Sequence, residues 1–261
     1  MRAIRYSKSN ILQYKNCPMS FYFKYFTPYG KIFRGNNDVP IHLERGSICH
    51  EFFEEFNKRH DTTEIEKYLC KDEFYAKNIN NFYGLLEQYN LDYPISAEEK
   101  FFNAAESFVG IIDAKYDLND KSIAAIMENN ELYPYLPQIK EMPDSTLAII
   151  DYKTGKFNKN YIRKYEFELN LYVNLIEVLQ PDTHIGWIGM FYTTFPQSSF
   201  IIPVNRKKLA TDVKTIDKIK QKVIDKEFDR KHTALCMYCD FRHICDDYSD
   251  KCVSKAVDRL F

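Results

Sequence analysis

The sequence lacks the features of a membrane-spanning or exported protein. No apolar run approaches the roughly 18 residues that a membrane-spanning helix needs, and residues 1–12 lack the apolar stretch of a secretory signal. We therefore expect a cytoplasmic protein with no membrane partner. Glycine and proline are also scarce, at 8 and 10 of 261 residues, which excludes collagen-like, low-complexity and linker-dominated chains.

The chain also lacks an excess of charge of either sign. Its 36 lysine and arginine residues are balanced by 37 aspartate and glutamate residues, so the formal net charge is -1. Because no global positive field attracts a nucleic acid, any such binding must use a local patch. Hydrophobic residues, in contrast, make up 45% of the chain, which is ample for one large domain or two small ones.

Seven cysteines are an odd number for a chain without an export signal, which favours reduced thiols over a disulfide framework. Cys236, Cys239 and Cys245 are spaced C-x2-C-x5-C in a short polar segment, a pattern typical of metal ligation. Cys17, at the end of an N-terminal helical stretch, is the best candidate for a fourth ligand, and Cys252 is the alternative. Four thiolates suit either zinc or an iron-sulfur cluster.

The other two cysteines lack such a context. Cys49 shares an apolar helix face with Phe52, Phe53 and Phe56, and Cys70 stands alone. We expect both to be buried hydrophobic thiols with no ligand role.

Hydrophobic periodicity predicts that residues 1–93 are mainly helical, with one helix at 7–26 interrupted at Pro18. From residue 94 to 204, short apolar runs bounded by polar turns predict a sheet, and residues 205–261 contain a basic helix and the cysteine segment. The pattern predicts a single α/β domain. The predicted helices lie at 43–60, 73–90, 162–179 and 206–226; the predicted strands include 108–113, 147–151, 184–192 and 199–204; the insert 119–145 is partly helical.

Two of the predicted strands end in carboxylates. Asp151 and Lys153 follow an apolar run and, with a period of two, lie on one face of their strand. Asp113 ends the preceding apolar run in the same way. Adjacent strands could therefore bring two carboxylates together beside one lysine, an arrangement that holds a divalent metal and orients a water for attack on phosphorus.

These motifs together resemble the PD-(D/E)XK nuclease superfamily, in the iron-sulfur branch that includes the CRISPR-associated Cas-four-type exonucleases and the RecB and AddB nuclease domains. The resemblance covers almost the whole chain and implies a restriction-endonuclease-like core, a mixed sheet flanked by helices. The matching motifs are Ser9-x4-Tyr14-x2-Cys17-Pro18, Gly46-x3-His50, Gly110-Ile111-Ile112-Asp113, Asp151-Tyr152-Lys153 and the cysteine trio.

The resemblance also implies roles for individual residues. His50, Asp113, Asp151 and the backbone carbonyl of Tyr152 would bind Mg²⁺ or Mn²⁺, and Lys153 would be the catalytic lysine. It selects a 4Fe-4S cluster over zinc, with Cys17 rather than Cys252 as the fourth ligand.

The chain departs from the family pattern at the helix motif Q-x3-Y. Here Tyr172 matches, but Glu168 occupies the position of the usual glutamine. The family also often carries a glutamate on the first strand, for which Glu98 and Glu99 both qualify. The insert between the catalytic strands is longer than usual.

Basic residues close to the D-x-K motif are candidates for DNA contact, with Phe157 and Tyr161 available to stack on bases. The proposed contacts are Lys156, Lys159, Arg163 and Tyr172. A second basic segment, 205–231, is either a DNA-binding patch or a solvated helix face.

The resulting functional prediction is a metal-dependent deoxyribonuclease, an exonuclease acting on single-stranded DNA ends in recombination, repair or CRISPR spacer acquisition. Because the chain has no G-x4-G-K-[ST] motif, unwinding would need a helicase partner, and CRISPR adaptation proteins are the other expected partners. The alternative is a non-catalytic DNA-end-binding or scaffolding subunit. The third possibility is a zinc-stabilised protein whose D-x-K sequence occurs by chance and has no catalytic role.

Overall fold

A computed structural model describes residues 4–32, 41–60, 62–105, 107–132 and 134–245. The chain divides into two units. Residues 39–213 form a continuous central unit, and residues 1–38 with 214–261 form a terminal unit. Cys252, the alternative cysteine ligand, lies outside the described residues.

Helices and strands occur in the predicted order. The helices are α1 (Lys8–Asn16), α2 (Pro18–Phe26), α3 (Tyr29–Ile32), α4 (Ile41–Arg59), α5 (Thr63–Leu69), α6 (Glu73–Gln88), α7 (Asp120–Leu132), α8 (Ile162–Leu179) and α9 (Arg206–Ile224). The strands are β1 (Ser96–Asn103), β2 (Phe108–Asp117), β3 (Leu147–Lys153), β4 (Trp187–Tyr192) and β5 (Phe200–Pro203). Within the described ranges, every helix is too short or too polar to cross a lipid bilayer.

The central unit contains a five-stranded mixed sheet in the order β1-β2-β3-β4-β5. Only β3 and β4 are parallel, and α8 connects them, as a parallel pair requires a long crossover. The other neighbours are antiparallel. Helices flank this sheet, which confirms the predicted α/β class and is consistent with a restriction-endonuclease-like core.

The position of Asp113 differs from the prediction. Asp113 does not end its strand, because β2 continues to Asp117. The reason is that Ala114 and Lys115 pair with both neighbouring strands and Tyr116 pairs with β3, so the residues after Asp113 stay in the ladder. A second difference is α3, which forms in a segment expected to be a loop.

Aromatic side chains from α4, α6 and the sheet form the core of the central unit. The Phe53 ring stacks on Phe82 at 4.6 Å and meets Tyr152 edge-on at 5.3 Å between centroids. Cys49 lies in this core, and burial raises the pKa of its thiol to about 12, which confirms the structural reading of this cysteine. The expected burial of Cys70 is wrong, because Cys70 is exposed just after α5.

The terminal unit brings together segments that are far apart in the sequence. Ser7 caps α1, and α2 begins at Pro18, which confirms the predicted interruption because proline lacks an amide donor but fits a helix start. The Tyr14 hydroxyl donates to the carbonyl of Glu227 at 2.5 Å. Phe228 packs against Tyr22 with 5.0 Å between ring centroids. These contacts join residues more than 200 positions apart.

Candidate metal centre

Three carboxylates lie level with one another across β1, β2 and β3. In the register of β1 with β2, Ala97 pairs with Ala114 and Glu99 pairs with Ile112. Glu98 therefore lies opposite Asp113, the residue between those two partners. In the antiparallel register of β2 with β3, Ala114 pairs with Ile150. Asp113 and Asp151, which are next to these two residues, therefore lie opposite each other. The strand register therefore concentrates negative charge at one level of the sheet.

The helix α4 contributes a nitrogen ligand to this site. His50 Nδ1 lies 3.7 Å from Asp113 Oδ2. One ligand atom from each of His50, Glu98 and Asp113 lies within 4.8 Å of the others, a spacing that suits one metal ion. Gly46, one turn before His50, allows the helix to approach the end of β3, because a Cβ there would lie 3.0 Å from Thr154 Oγ1.

The backbone of Glu98 is unusual, with φ at 49° in the left-handed region. Non-glycine residues in this conformation cost about 1–3 kcal/mol and cluster at functional sites. Burial, followed by the charge of Asp113, raises the pKa of Glu98 to about 7. Burial and the charge of Asp151 likewise raise the pKa of Asp113. Such crowding of carboxylates is relieved by a bound cation.

Glu99 has a different environment from Glu98. Its carboxylate accepts hydrogen bonds from Ser96 Oγ at 2.7 Å and Lys115 Nζ at 3.0 Å. These interactions lower its pKa, despite the opposing effect of burial. The geometry thus places Glu98, and not Glu99, in the candidate metal centre, a choice that the sequence left open.

The two neighbouring glutamates form a matched pair for mutagenesis. Glu98→Gln removes one charged metal ligand and should lower metal-dependent DNA cleavage at least about a hundredfold. Glu99→Gln should retain activity within a few-fold, since its side chain pairs with Ser96 and Lys115. Initial cleavage rates at saturating Mg²⁺ measure both effects, and equal activity of the two variants would contradict the assignment of Glu98.

The D-x-K motif lies directly beside this cluster. Asp151 is buried, and its Oδ2 forms an ion pair with Lys153 Nζ. The Tyr152 amide donates to Asp113 Oδ2 at 2.7 Å, which ties β3 to β2 at the site. Sequence-predicted residues from α4, β2 and β3 thus meet in one place.

Buried polar contacts hold Tyr152 between Asp151 and Lys153. Its hydroxyl receives a hydrogen bond from Asn57 Nδ2 at 3.1 Å and contacts the Tyr116 hydroxyl at 2.9 Å. The side chain of Tyr152 is therefore held in the core. Metal binding, the role that the resemblance implies for Tyr152, would involve its backbone carbonyl alone. Asn57 lies seven residues after His50, two turns along α4, which is the one sequence signal that could have identified it.

A second set of hydrogen bonds fixes the segment after Lys153. Asn78 Oδ1, fully buried on α6, accepts from the hydroxyls of Thr193 at 2.6 Å and Thr194 at 2.9 Å. Thr193 N–H donates to the Lys153 carbonyl at 2.9 Å. Thr194 Oγ1 also lies 2.9 Å from the Thr154 carbonyl, which shares the single hydroxyl proton with Asn78 Oδ1. No local sequence pattern predicts these contacts, since Asn78 and Thr193 are 115 residues apart.

Tyr172 and Glu168 occupy the helix α8. Tyr172 packs on Gly110 of β2, where an added Cβ would lie 3.0 Å from its ring. The Glu168 side chain is mostly buried, with Lys164 Nζ 3.9 Å from its Oε1. Lys164 thus offsets part of the negative charge that replaces the usual glutamine.

Gly110→Ala tests the close approach of α8 to the sheet. The new methyl would lie 2.8 Å from Leu175 Cδ2, so we expect a loss of about 1–3 kcal/mol in the free energy of unfolding, measured by urea denaturation. Gly84→Ala on α6 is the control, because it meets no atom within 4 Å and should stabilise the helix by about 0.5–1 kcal/mol. Unchanged stability in Gly110→Ala would contradict the packing.

The predicted DNA-binding residues lie near the end of β3. Lys156 and Lys159 are exposed on the segment that leads into α8, and Arg163 is exposed in the first turn of α8. The second basic segment is partly neutralised, because Arg206 pairs with Glu177 at 2.8 Å and Lys222 with Glu227 at 2.8 Å. These pairs reduce its net positive field.

In the terminal unit, Cys17, Cys236, Cys239 and Cys245 line one cavity of about 340 Å³. Burial raises the pKa of the Cys239 thiol, and the nearby Cys17 and Cys236 add to this shift. Among the described residues, no three of these sulfur atoms lie within 4.8 Å of one another.

Comparisons with known proteins find a family match for part of the chain. Residues 139–246 match the model of the PD-(D/E)XK nuclease superfamily, a range that includes Asp151, Lys153 and the cysteine trio. No curated protein matches the chain. A solved structure described as "Crystal structure of SSO0001" is 13% identical, with 94% of this chain and 88% of that chain covered and a TM-score of 0.45.

Proposed function

We propose that this protein is a metal-dependent deoxyribonuclease, an exonuclease that degrades single-stranded DNA from its ends. The main support is the geometry of the central unit, where Glu98, Asp113 and Asp151 lie level across three strands with His50 and Lys153 beside them. The superfamily match over residues 139–246 supports the same reaction class.

The donor set fits a divalent cation. Oxygen ligands from Glu98 and Asp113 suit Mg²⁺ and Mn²⁺, and the imidazole of His50 is more readily accepted by Mn²⁺. We assign Asp151 and the Tyr152 carbonyl as the remaining protein ligands. When bound, the metal would supply Lewis-acid activation of the phosphate and of the attacking water.

Lys153 acts on the phosphate and the nucleophile. Its ammonium pairs with the buried Asp151, which holds the long side chain beside the carboxylate cluster. From this position it orients the attacking water and offsets the negative charge that develops on the scissile phosphate. Asn78 and Thr193 fix the backbone from which this side chain extends.

The basic residues after β3 bind the DNA backbone. Lys156, Lys159 and Arg163 present positive charge between three and ten positions after Lys153, and Tyr172, which packs on Gly110 of β2, is the fourth proposed DNA contact. Their proximity to the metal centre makes this segment, rather than the partly neutralised 205–231, the principal phosphate contact. The biological setting would be recombination, repair or CRISPR spacer acquisition, with a helicase or adaptation proteins as partners.

We assign the four-cysteine cavity to a 4Fe-4S cluster with a structural role. The thiols of Cys17 and the C-terminal trio share one cavity, which is the arrangement that four-cysteine clusters require. A tetrahedral four-thiolate zinc site is the alternative for the same cavity, and the metal content of the purified protein distinguishes the two. When bound, the cluster would cross-link the two ends of the chain.

A cleavage assay tests this function directly. End-labelled linear single-stranded and duplex DNA, beside a closed circular single strand, are incubated with Mg²⁺ or Mn²⁺ and with chelator. We expect metal-dependent loss of the linear single strand alone, complete protection by chelator, and cleavage polarity from the position of the label. Cutting of the circle would instead identify an endonuclease. Failure to cleave any substrate, with folded iron-loaded protein, would favour a scaffolding subunit.

A further inference from the structure

A second cavity in the central unit lies after the end of β3 and contains none of the proposed metal ligands. Its volume of about 740 Å³ falls within the range of about 300–1,000 Å³ typical of ligand pockets. Four aromatic side chains line it: Tyr135, Phe157, Tyr161 and Tyr165. Tyr135 comes from the long insert between the catalytic strands, so the insert has a structural role at this cavity.

Contacts between rings connect the cavity to the catalytic strand. Phe157 lies 5.5 Å from Tyr135 and 5.3 Å from Tyr192 between ring centroids. Tyr192 is the β4 partner of Lys153. Because Lys156 is three positions after Lys153, their Cα atoms are at most about 11 Å apart. A ligand in this cavity therefore lies a short distance from the proposed scissile phosphate.

The cavity combines flat aromatic surfaces with positive charge. Lys156 and Lys159 are both exposed and contribute to the lining, and among the described lining residues there is no carboxylate. The Tyr161 ring is 53% exposed, and Lys164 Nζ lies 5.8 Å from its centroid. Aromatic faces and lysines are the groups with which proteins bind single strands, through base stacking and phosphate pairing.

We propose that this cavity binds an unstacked nucleobase of single-stranded DNA next to the nucleotide that is cleaved. The base stacks on Tyr161, and Lys156 and Lys159 contact the flanking phosphates. This inference rests on the proposed nuclease function and deepens it, because it explains the choice of single strands. A base within a duplex would have to unpair and unstack before it could enter, at a cost of a few kcal/mol.

Binding in the presence of chelator tests the inference without cleavage. Fluorescence anisotropy compares a labelled thymidine oligonucleotide with an abasic strand of the same length, for the wild type, Tyr161→Ala and Tyr161→Phe. The wild type should bind the base-containing strand about tenfold more tightly than the abasic strand. Tyr161→Ala should lose this preference, and Tyr161→Phe should keep it because it retains the ring.

The comparison forms a double-mutant cycle in which the second change is made in the DNA. Equal affinity of the wild type for both strands, or an equal loss for both strands in Tyr161→Ala, would overturn the base site. Detectable binding to neither strand would overturn it as well. Because cleavage is not measured, a protein that shows the base preference but never cuts DNA would contradict the nuclease proposal alone.

Discussion

Lys153→Ala is expected to lower the rate of DNA cleavage about a thousandfold while leaving DNA affinity within a few-fold of the wild type. The loss removes the ammonium that orients the attacking water and stabilises the transition state, and single groups of this kind contribute about 10²–10⁴-fold. Affinity is retained because Lys156, Lys159 and Arg163 remain exposed for the phosphates. Single-turnover rates and binding measured in chelator separate the two effects.

Controls distinguish lost chemistry from lost folding. Lys153→Ala leaves the buried Asp151 without its ammonium partner, so its stability is measured alongside its activity. Lys153→Gln retains a hydrogen-bond donor for Asp151 and should be as inactive as the alanine variant. Lys121→Ala removes an equal charge from the exposed surface of α7 and should keep full activity. Full activity in Lys153→Ala would contradict the assignment of the catalytic lysine.

Cys239→Ser is expected to abolish the bound iron and to lower the melting temperature by about 10 °C or more. Metal binding by thiolates is coupled to folding, so loss of a ligand costs stability in the unit that the cluster joins. For a chain of this size, each kcal/mol lost corresponds to about 2–4 °C. Iron content, visible absorbance and thermal melting of anaerobically purified protein measure the outcome.

Cys70→Ser is the matched control, because Cys70 is an exposed cysteine outside the four-cysteine cavity. It should retain the iron, the absorbance and the melting temperature of the wild type. Stoichiometric zinc in place of iron would overturn the cluster assignment and leave a zinc-stabilised terminal unit. An unchanged spectrum and melting curve in Cys239→Ser would remove Cys239 from any metal site.

Much of the fold could be predicted because its signals are local. The helix expected at 162–179 is observed at the same residues, since its apolar positions repeat with helical spacing and Pro181 follows it. The D-x-K motif likewise places Asp151 and Lys153 together within three residues. In both cases, residues close together in the sequence determine the local structure, so the sequence alone predicts it.

The remaining features depend on long-range pairing. The alternation of residues along β1 does not predict whether Glu98 or Glu99 lies in the candidate metal centre. The register with β2 and the positive φ of Glu98 determine this. The length of β2 beyond Asp113 is similarly decided by its neighbours. The aromatic cavity requires Tyr135 to meet Phe157 across a segment whose pattern gives no sign of that contact.

The division of the chain has a consequence for its biosynthesis. The central unit is one continuous segment, residues 39–213, and can begin to fold as soon as it leaves the ribosome. The terminal unit combines residues 1–38 with residues 214–261, so its four-cysteine cavity stays incomplete until Cys245, the most C-terminal of the four, has been translated. Insertion of the proposed cluster would therefore follow the folding of the central sheet, and iron limitation would leave a chain with a folded central unit and an unassembled terminal unit.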